Sequence, residues 1–407
     1  MHADTLAPPK PAHVPDELYW DHSLAEFNNE LDDPFIAASR LLDGPPLIWA
    51  RDGAQGRPGW VIARHALLKE AFIDWEHFSS EGGMDLTMML GVDWNLNPVN
   101  IDPPRHTKYR KVLTPFFTPK AVSHMEAGVR QTVEELIAPF ADKGGCDFVK
   151  DFAIPFPSVI FLRLMGMPEH MLLQFFQWEQ DLLHGTSMEG RVKAGREILD
   201  YLKLHLEQQK QQATTPLMES ILNAEIDGQK LNDGEILGMF YTFYVGGLDT
   251  VYATISWSMR HIATHPEFQQ FLCDHPEQMD KAVMELLRMF SVVSSQRRVT
   301  RDFVWHGVQL KEIDLVIMPI FIACRDPEAY PNPHEFDIDR HEQTLSFASG
   351  PHLCLGMHLA RREIKVAIET FLAKFRNIRI PAGAKYTYHA GPTFNVDSLP
   401  LEWDKAG

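Results

Sequence analysis

One sulfur in this chain stands where it could do chemistry. Cys354 lies in Phe347-Ala348-Ser349-Gly350-Pro351-His352-Leu353-Cys354-Leu355-Gly356, a short loop fenced by glycines. Gly350 and Gly356 let the backbone turn tightly and approach a flat ligand with no Cβ in the way. Three readings compete for the thiol. A lone cysteine is often a small buried hydrophobe. His352 and His358 beside it point to zinc, but structural zinc wants paired ligands at close spacing, and no second pair is present. A haem thiolate needs only one sulfur, because the porphyrin supplies the in-plane ligands.

Three other groupings could serve such a centre. Gly246-Gly247-Leu248-Asp249-Thr250 sets two glycines before an acid and an alcohol. In a helix interior each glycine costs about 1 kcal/mol against alanine, so something must compensate. A groove widened for a small ligand would do so; so would a close helix crossing with the threonine bonded to its own backbone. His106 and Arg110 fall one helical turn apart, as a solvated basic face or as a pair that grips an anion. Glu285 and Arg288, three apart, carry little meaning alone.

The pattern Phe-x-x-Gly-x-His-x-Cys-x-Gly, filled at Phe347, Gly350, His352, Cys354 and Gly356, resembles the haem-binding signature of the cytochrome P450 family. That resemblance implies a P450 fold, mainly α with small β-sheets in a single large domain. It implies haem b with Cys354 as the iron ligand and Phe347 and Gly356 beside the sulfur. His106, Arg110, Arg297 and His352 would then meet the haem propionates. Asp249 and Thr250 would be the acid and alcohol that deliver protons to bound dioxygen, and Glu285, Arg288 and Arg340 an internal structural network.

The resemblance runs from Val14 to Trp403 and is most marked for the bacterial camphor-hydroxylase group, through residues 245–251, 303–310 and 352–356. It implies a monooxygenase fed by an NADH-dependent flavin reductase and a [2Fe–2S] ferredoxin. Arg105, Lys108, Arg110, Lys111, Arg361, Arg362 and Lys365 are the cations expected to receive an acidic ferredoxin. Trp94 matches a tyrosine that in camphor hydroxylases donates a hydrogen bond to the substrate ketone. With Met84, Met88, Met89, Leu96, Val99, Phe243, Tyr244, Val293 and Thr393 it would line a mainly apolar pocket. The expected substrate is a compact, weakly polar terpenoid such as 1,8-cineole or an ionone; camphor or another small cyclic molecule is the alternative. A gas-sensing haem-thiolate protein, or the peroxygenase and dehydratase branch of the fold, would not need the Asp249-Thr250 pair.

The elements that must position these residues follow from pattern. At 407 residues, with no linker, repeat or low-complexity tract, the chain reads as an arm over 1–15 and one domain over 16–407. A 45% hydrophobic content supports a substantial core. A formal charge of −17 argues against nucleic acid as partner. Four scattered cysteines and no basic, apolar leader suit a monomer in a reducing cytoplasm. The prolines at 8, 9, 11 and 15 predict an extended or mobile arm. Residues 46–51 and 59–64 predict a hairpin, 66–75 a helix, 82–101 a long loop, and 116–225 a mostly helical tract whose Phe175, Phe176, Trp178, Leu182 and Leu183 would, by resemblance, form a lid. Asp102-Pro103-Pro104 opens a helix. Leu237–Trp257 is apolar on all sides; Asp249 and the glycine pair favour a buried helix, capped by Asn232-x-x-Glu235, over a membrane span. Ala360, Ile364, Ala367, Ile368, Phe371, Leu372 and Phe375 give the helix after Cys354 one buried face. Ile313 stands where the family pattern has glycine; positive φ there would strain a β-branched residue.

Overall fold

The computed structural model describes residues 9–26, 33–54, 56–82, 86–341 and 343–405. Its largest sheet has six strands in the order Tyr19–Ser23, Leu47–Ala54, Arg57–Ile62, Leu315–Pro319, Ser294–Val299, Phe78–Ser79. The predicted hairpin is its centre, with Leu47 opposite Ile62 and Trp49 opposite Trp60. Its strands run further into the turn than the pattern indicates. Trp60 is fully buried and donates its indole N–H to Asp314 Oδ2 at 2.9 Å, so this polar tip meets a partner inside the core.

The described part of the N-terminal arm, residues 9–15, is packed, not loose. Val14 is buried against this sheet, and His13 Nε2 lies 2.9 Å from Asp314 Oδ2. Arm and turn therefore share one carboxylate.

Helices make up most of the remainder. The expected loop over 82–101 contains one short helix, Leu86–Leu90, and a helix Arg105–Leu113 follows the prolines. The apolar tract 237–257 is not one helix. Asp233–Gly247 and Asp249–Thr264 meet at Leu248, directly after the glycine pair. Asn232 and Glu235 close a reciprocal capping box at its start. Its polar residues bond inward to their own backbone: Thr254 to Thr250 O at 2.9 Å, Ser256 to Tyr252 O at 2.7 Å, Ser258 to Thr254 O at 2.8 Å. These three hydroxyls are thereby satisfied within the helix Asp249–Thr264. Among the described residues no helix is long and apolar enough to cross a membrane.

Glu285, Arg288 and Arg340 meet in the interior. Glu285 Oε1 accepts from Arg288 Nη2 at 2.7 Å and from Arg340 Nε at 3.0 Å. Arg288 Nη1 also donates to the carbonyls of Cys324 and Pro333, at 2.8 and 2.9 Å. The network ties the helix Met279–Met289 to the irregular chain that leads into the cysteine loop. Removing one member would leave a buried charge unpaired, a loss of about 3–5 kcal/mol.

Ile313 has φ of 67° and is 73% exposed. Its backbone is committed on both sides, the N–H to Val299 O at 2.8 Å and the C=O to Arg298 Nη1 at 3.0 Å. The turn therefore cannot relax, and the β-branched side chain sits in the left-handed region. Relief of about 1–3 kcal/mol outweighs the roughly 0.5–1 kcal/mol entropic cost of glycine. Ile313→Gly should raise the unfolding free energy by about 1 kcal/mol in denaturant titration; an unchanged or lower midpoint would contradict this.

Candidate active site

The cysteine loop is held by its own backbone. Leu353 N–H donates to Gly350 O at 3.1 Å and Cys354 N–H to Phe347 O at 2.9 Å. Gly350 has φ of +70°, and a Cβ there would fall 2.7 Å from Phe72 O, so this position tolerates only glycine. The helix Met357–Lys374 starts directly after the loop. Cys354 is exposed, but the space it faces is an internal cavity of about 400 Å³. Burial from bulk water pushes its thiol pKa up; the Gly356 N–H, the Arg110 charge and the Met357 N–H oppose this in part. Those dipoles and that cation are what a thiolate would need.

Across the cavity stand Gly246, Gly247, Thr250 and Val251. The two glycines do different work. A Cβ on Gly247 would meet Phe161 Cδ2 at 2.8 Å, so Gly247 allows a close helix crossing. A Cβ on Gly246 would meet nothing within 4 Å, so Gly246 widens the groove. Thr250 Oγ1 reaches back to Gly246 O at 3.3 Å. Asp249 faces away from the cavity and is fully buried among Thr393, Asn395 and His184. Burial pushes its pKa up, but hydrogen bonds and charge from His184, with bonds from Thr393 and Asn395, more than reverse this and hold it below the ordinary carboxylate value.

One edge of the cavity gathers basic side chains, two histidines and two arginines. His106 is 2% exposed with both ring nitrogens unpartnered, and its ring centre lies 4.3 Å from that of His352. Burial, then Arg110 and Arg297, bring the His106 pKa down to about 4 despite Asp102. Burial with Arg297, His106 and Arg110 lowers His352 further. Arg297 is itself buried, which brings its guanidinium pKa down to about 10 against the opposing pull of Asp102. Asp102 already accepts from Ser79 Oγ and from Ser80 N, the latter at 2.9 Å. Arg110 turns inward to the Leu353 carbonyl. A flat ligand carrying two carboxylates would satisfy this edge, and the exposed sulfur and the open glycine groove lie on the same cavity. Haem b fits that description.

Comparison with known proteins decides the family. The model described as "Cytochrome P450" matches residues 159–279 and 274–394. A "Probable cytochrome P450 127A1" of Sinorhizobium fredii is 34% identical over 403 residues, covering 97% of each chain. The chain belongs to the cytochrome P450 family. Solved structures agree: CYP101J2 superposes with TM-score 0.87 at 28% identity, covering 97% of this chain and 100% of that one, and CYP101C1 with 0.85 at 29%, covering 97% and 99%. As a cytochrome P450 it is a monooxygenase, and the family's cofactor is haem b bound through a cysteine thiolate.

The pocket of this P450 differs from the sequence reading. Val99, Phe243 and Val293 line the cavity. Trp94 does not: it packs on Gly234, where a Cβ would fall 2.9 Å from its Cδ1, and beside Tyr241. Met88 is exposed, while Met89 packs, half-buried, and Leu96, fully buried, in the hydrophobic cluster outside the lining. Tyr244 is buried and donates its hydroxyl to Phe175 O, and Thr393 donates to Asp249. Met84 lies outside the described residues. Sequence reasoning missed Asn97, Phe117, Phe161, Thr242 and Ile320, which complete the walls. Two of them bring buried polar atoms without partners, Asn97 Oδ1 and Thr242 Oγ1. Position on the helix before the glycine pair could have found Thr242; nothing local marks Phe161.

If the cationic edge holds haem carboxylates, removing one charge-assisted contact costs about 1.5–3 kcal/mol. Arg297→Gln should accordingly lose haem to an apomyoglobin acceptor about tenfold or more faster. Equal loss rates would rule out this role for Arg297.

Proposed function

We propose that this chain is a haem-thiolate monooxygenase of the camphor-hydroxylase-like group that hydroxylates a compact, weakly polar terpenoid. Cys354 is the iron ligand; His106, Arg110, Arg297 and His352 hold the propionates; Asp249 and Thr250 govern proton supply. The observation that carries this reading is that one cavity is lined by a lone sulfur, by Arg110, His352 and a buried His106 with both ring nitrogens unpartnered, and by Thr250 beside an opened helix groove. Bound haem supplies reductive activation of dioxygen, one oxygen atom entering a C–H bond and the other leaving as water with two electrons and two protons. The chain's own part is to exclude water, orient the substrate and hold a proton at Thr250 Oγ1. Glu363, also on the cavity, is pushed by burial to a pKa of about 8, so it faces the site as the neutral acid near pH 7.

Val99, Phe161, Val293, Ile320 and the stacked pair Phe117–Phe243, 5.7 Å apart, give the walls an apolar character. The Asn97 amide donates to Glu235 O at 3.2 Å, which leaves Oδ1 as an unmet acceptor. Thr242 can donate as well as accept. One ether or carbonyl oxygen on an otherwise apolar skeleton accepts from the Thr242 hydroxyl, as in a cyclic ether like 1,8-cineole or a norisoprenoid like ionone, while Asn97 Oδ1 is left to accept from water. Thr242, not Trp94, is thus the residue that fixes the substrate oxygen.

Electrons come from NADH through a flavin reductase and a [2Fe–2S] ferredoxin. The expected basic face is smaller than its sequence count. Lys108 pairs with Asp227 at 2.6 Å, Lys365 with Asp280 at 2.7 Å and Arg362 with Glu126, while Arg110 points inward. Arg105 lies 3.8 Å from Glu235, which leaves Lys111 and Arg361 to meet an acidic donor.

The deciding experiment is reconstitution of the holoenzyme with NADH, reductase and ferredoxin. The ferrous carbonyl complex should show the red-shifted Soret band of a thiolate haem, Cys354→His should abolish it together with product, and reduction should slow as salt rises. A wild-type protein without that band, or without hydroxylated terpenoid from any of cineole, ionones or camphor, defeats the reading. For substrate contact, Thr242→Val should weaken the spin-state response to an oxygenated terpenoid about three- to tenfold, one neutral hydrogen bond, and leave a hydrocarbon analogue unchanged. Equal weakening of both would show that Thr242 acts by shape alone.

A further inference from the structure

Asp249 is linked to the surface by two histidines. His184 Nε2 lies 3.4 Å from Asp249 Oδ2, His184 Nδ1 lies 3.0 Å from His389 Nε2, and His389 Nδ1 lies 2.6 Å from Asp397 Oδ1. Side-chain exposure rises along this line, 1% for Asp249, 9% for His184, 29% for His389 and 42% for Asp397. His184 and His389 also line a second cleft, about 360 Å³, between residues 183–191 and the segment 389–392. Both rings therefore border a place where water can stand.

We propose that His184 and His389 form a proton relay that recharges Asp249 from solvent in this cleft. The inference rests on the monooxygenase reading and adds to it the route by which protons arrive. With each ring neutral and protonated on its inward nitrogen, Nε2, and with Asp397 carrying a proton taken from cleft water that it donates to His389 Nδ1, one passage shifts every hydrogen bond by one place. Asp397 or cleft water gives a proton to His389 Nδ1, His389 Nε2 gives its own to His184 Nδ1, and His184 Nε2 gives its own to Asp249 Oδ2. Each ring ends neutral with its proton on Nδ1; solvent reprotonates Asp397, and ring turnover or exchange with cleft water returns both ring protons to Nε2 before the next passage. Asp249 then turns to protonate Thr250 Oγ1 as the hydroxyl releases its own proton into the cavity.

Asn395 is placed for both ends of that passage. Its Nδ2 lies 2.8 Å from Asp249 Oδ1 and 3.0 Å from His184 Nε2. Before passage the amide donates to the ionised carboxylate; afterwards it donates to the bared imidazole nitrogen. The 3.4 Å step is longer than a good N–H···O bond, so it is the link that must tighten for transfer. The other groups facing Asp249 do not compete. Glu179 is buried without a regular hydrogen bond to either carboxyl oxygen, and burial together with the Asp249 charge pushes its pKa well up. Burial with Asp249 and Glu179 does the same to the Tyr252 hydroxyl. Gln180 Nε2, 3.4 Å from Asp249 Oδ1, does not titrate.

The test compares holoenzyme variants His184→Gln, His389→Gln and Gly391→Ala. The last removes no titratable group: a Cβ at 391 would fall 2.9 Å from His184 Nδ1, the atom that must meet His389. Product per NADH should fall about tenfold in His184→Gln and severalfold in the other two, with a larger solvent deuterium isotope effect. Substrate-induced spin-state shifts should be unaltered, which a merely structural loss would not allow. Nitrogen NMR of the diamagnetic ferrous carbonyl holoprotein should show the His184 ring sharing its proton between Nδ1 and Nε2 in the wild type and fixed in His389→Gln. Wild-type product yield and isotope effect in both histidine variants, or a His184 tautomer indifferent to His389, overturns the relay. Failure of the monooxygenase reading shows separately, as absence of product from the wild type.

Discussion

Basic side chains gathered inside the protein around one carboxylate are the constraint on which this structure depends. His106, His352, Arg110 and Arg297 crowd one edge of the cavity, and Asp102 is the carboxylate that acts on His106 and Arg297. The depressed pKa values of Arg297 and His106 express the cost of that burial. A ligand that brings two negative charges removes the cost and adds hydrogen bonds, so its binding free energy becomes stability of the folded chain. The surrounding elements make sense as the means of holding these groups still. Asp102 is fixed by Ser79 and Ser80, His352 Nε2 meets Ser80 Oγ at 3.0 Å, and Arg110 is latched to the cysteine loop through the Leu353 carbonyl.

The same economy governs the opposite wall. A continuous helix from Asp233 to Thr264 would set a uniform cylinder against the sulfur. The glycine pair lets one residue admit Phe161 and its neighbour leave space, and the interruption at Leu248 turns Thr250 into the cavity while Asp249 faces the polar cluster behind it. Two adjacent residues thereby reach two separate environments, one apolar and enclosed, the other connected towards solvent.

What was legible in the sequence had local causes. The cysteine loop, the capping box at Asn232 and the strain at Ile313 are each written within a few residues: spacing exposes the cap, and the family pattern gives the loop and the Ile313 turn their meaning. The meeting of Glu285, Arg288 and Arg340 was legible through family resemblance, since half of it lies within one helical turn. Pocket walls were not, because which face of residues 86–101 turns inward depends on tertiary packing. Trp94 is captured by the gap over Gly234, Met88 is left at the surface, and Tyr244 is drawn to the Phe175 carbonyl. His184, Asp249, His389 and Asn395 were invisible as a set, being joined only by contacts between segments far apart in the chain.

Asp249 and Glu179 show why such a set is worth assembling. They are neighbouring carboxyl groups, both fully buried, yet their environments drive them apart: Asp249 below the ordinary value by His184, Thr393 and Asn395, Glu179 well above it by burial and by Asp249 itself. Of the two, Asp249 is the one whose surroundings favour the charged form. An acid so disposed is a poor store for a proton and a ready donor of one. In the relay proposed above, a proton that reaches Asp249 is held against that preference and passes on to Thr250. The contacts that set this preference, with His184, Thr393 and Asn395, all come from residues outside the cavity lining.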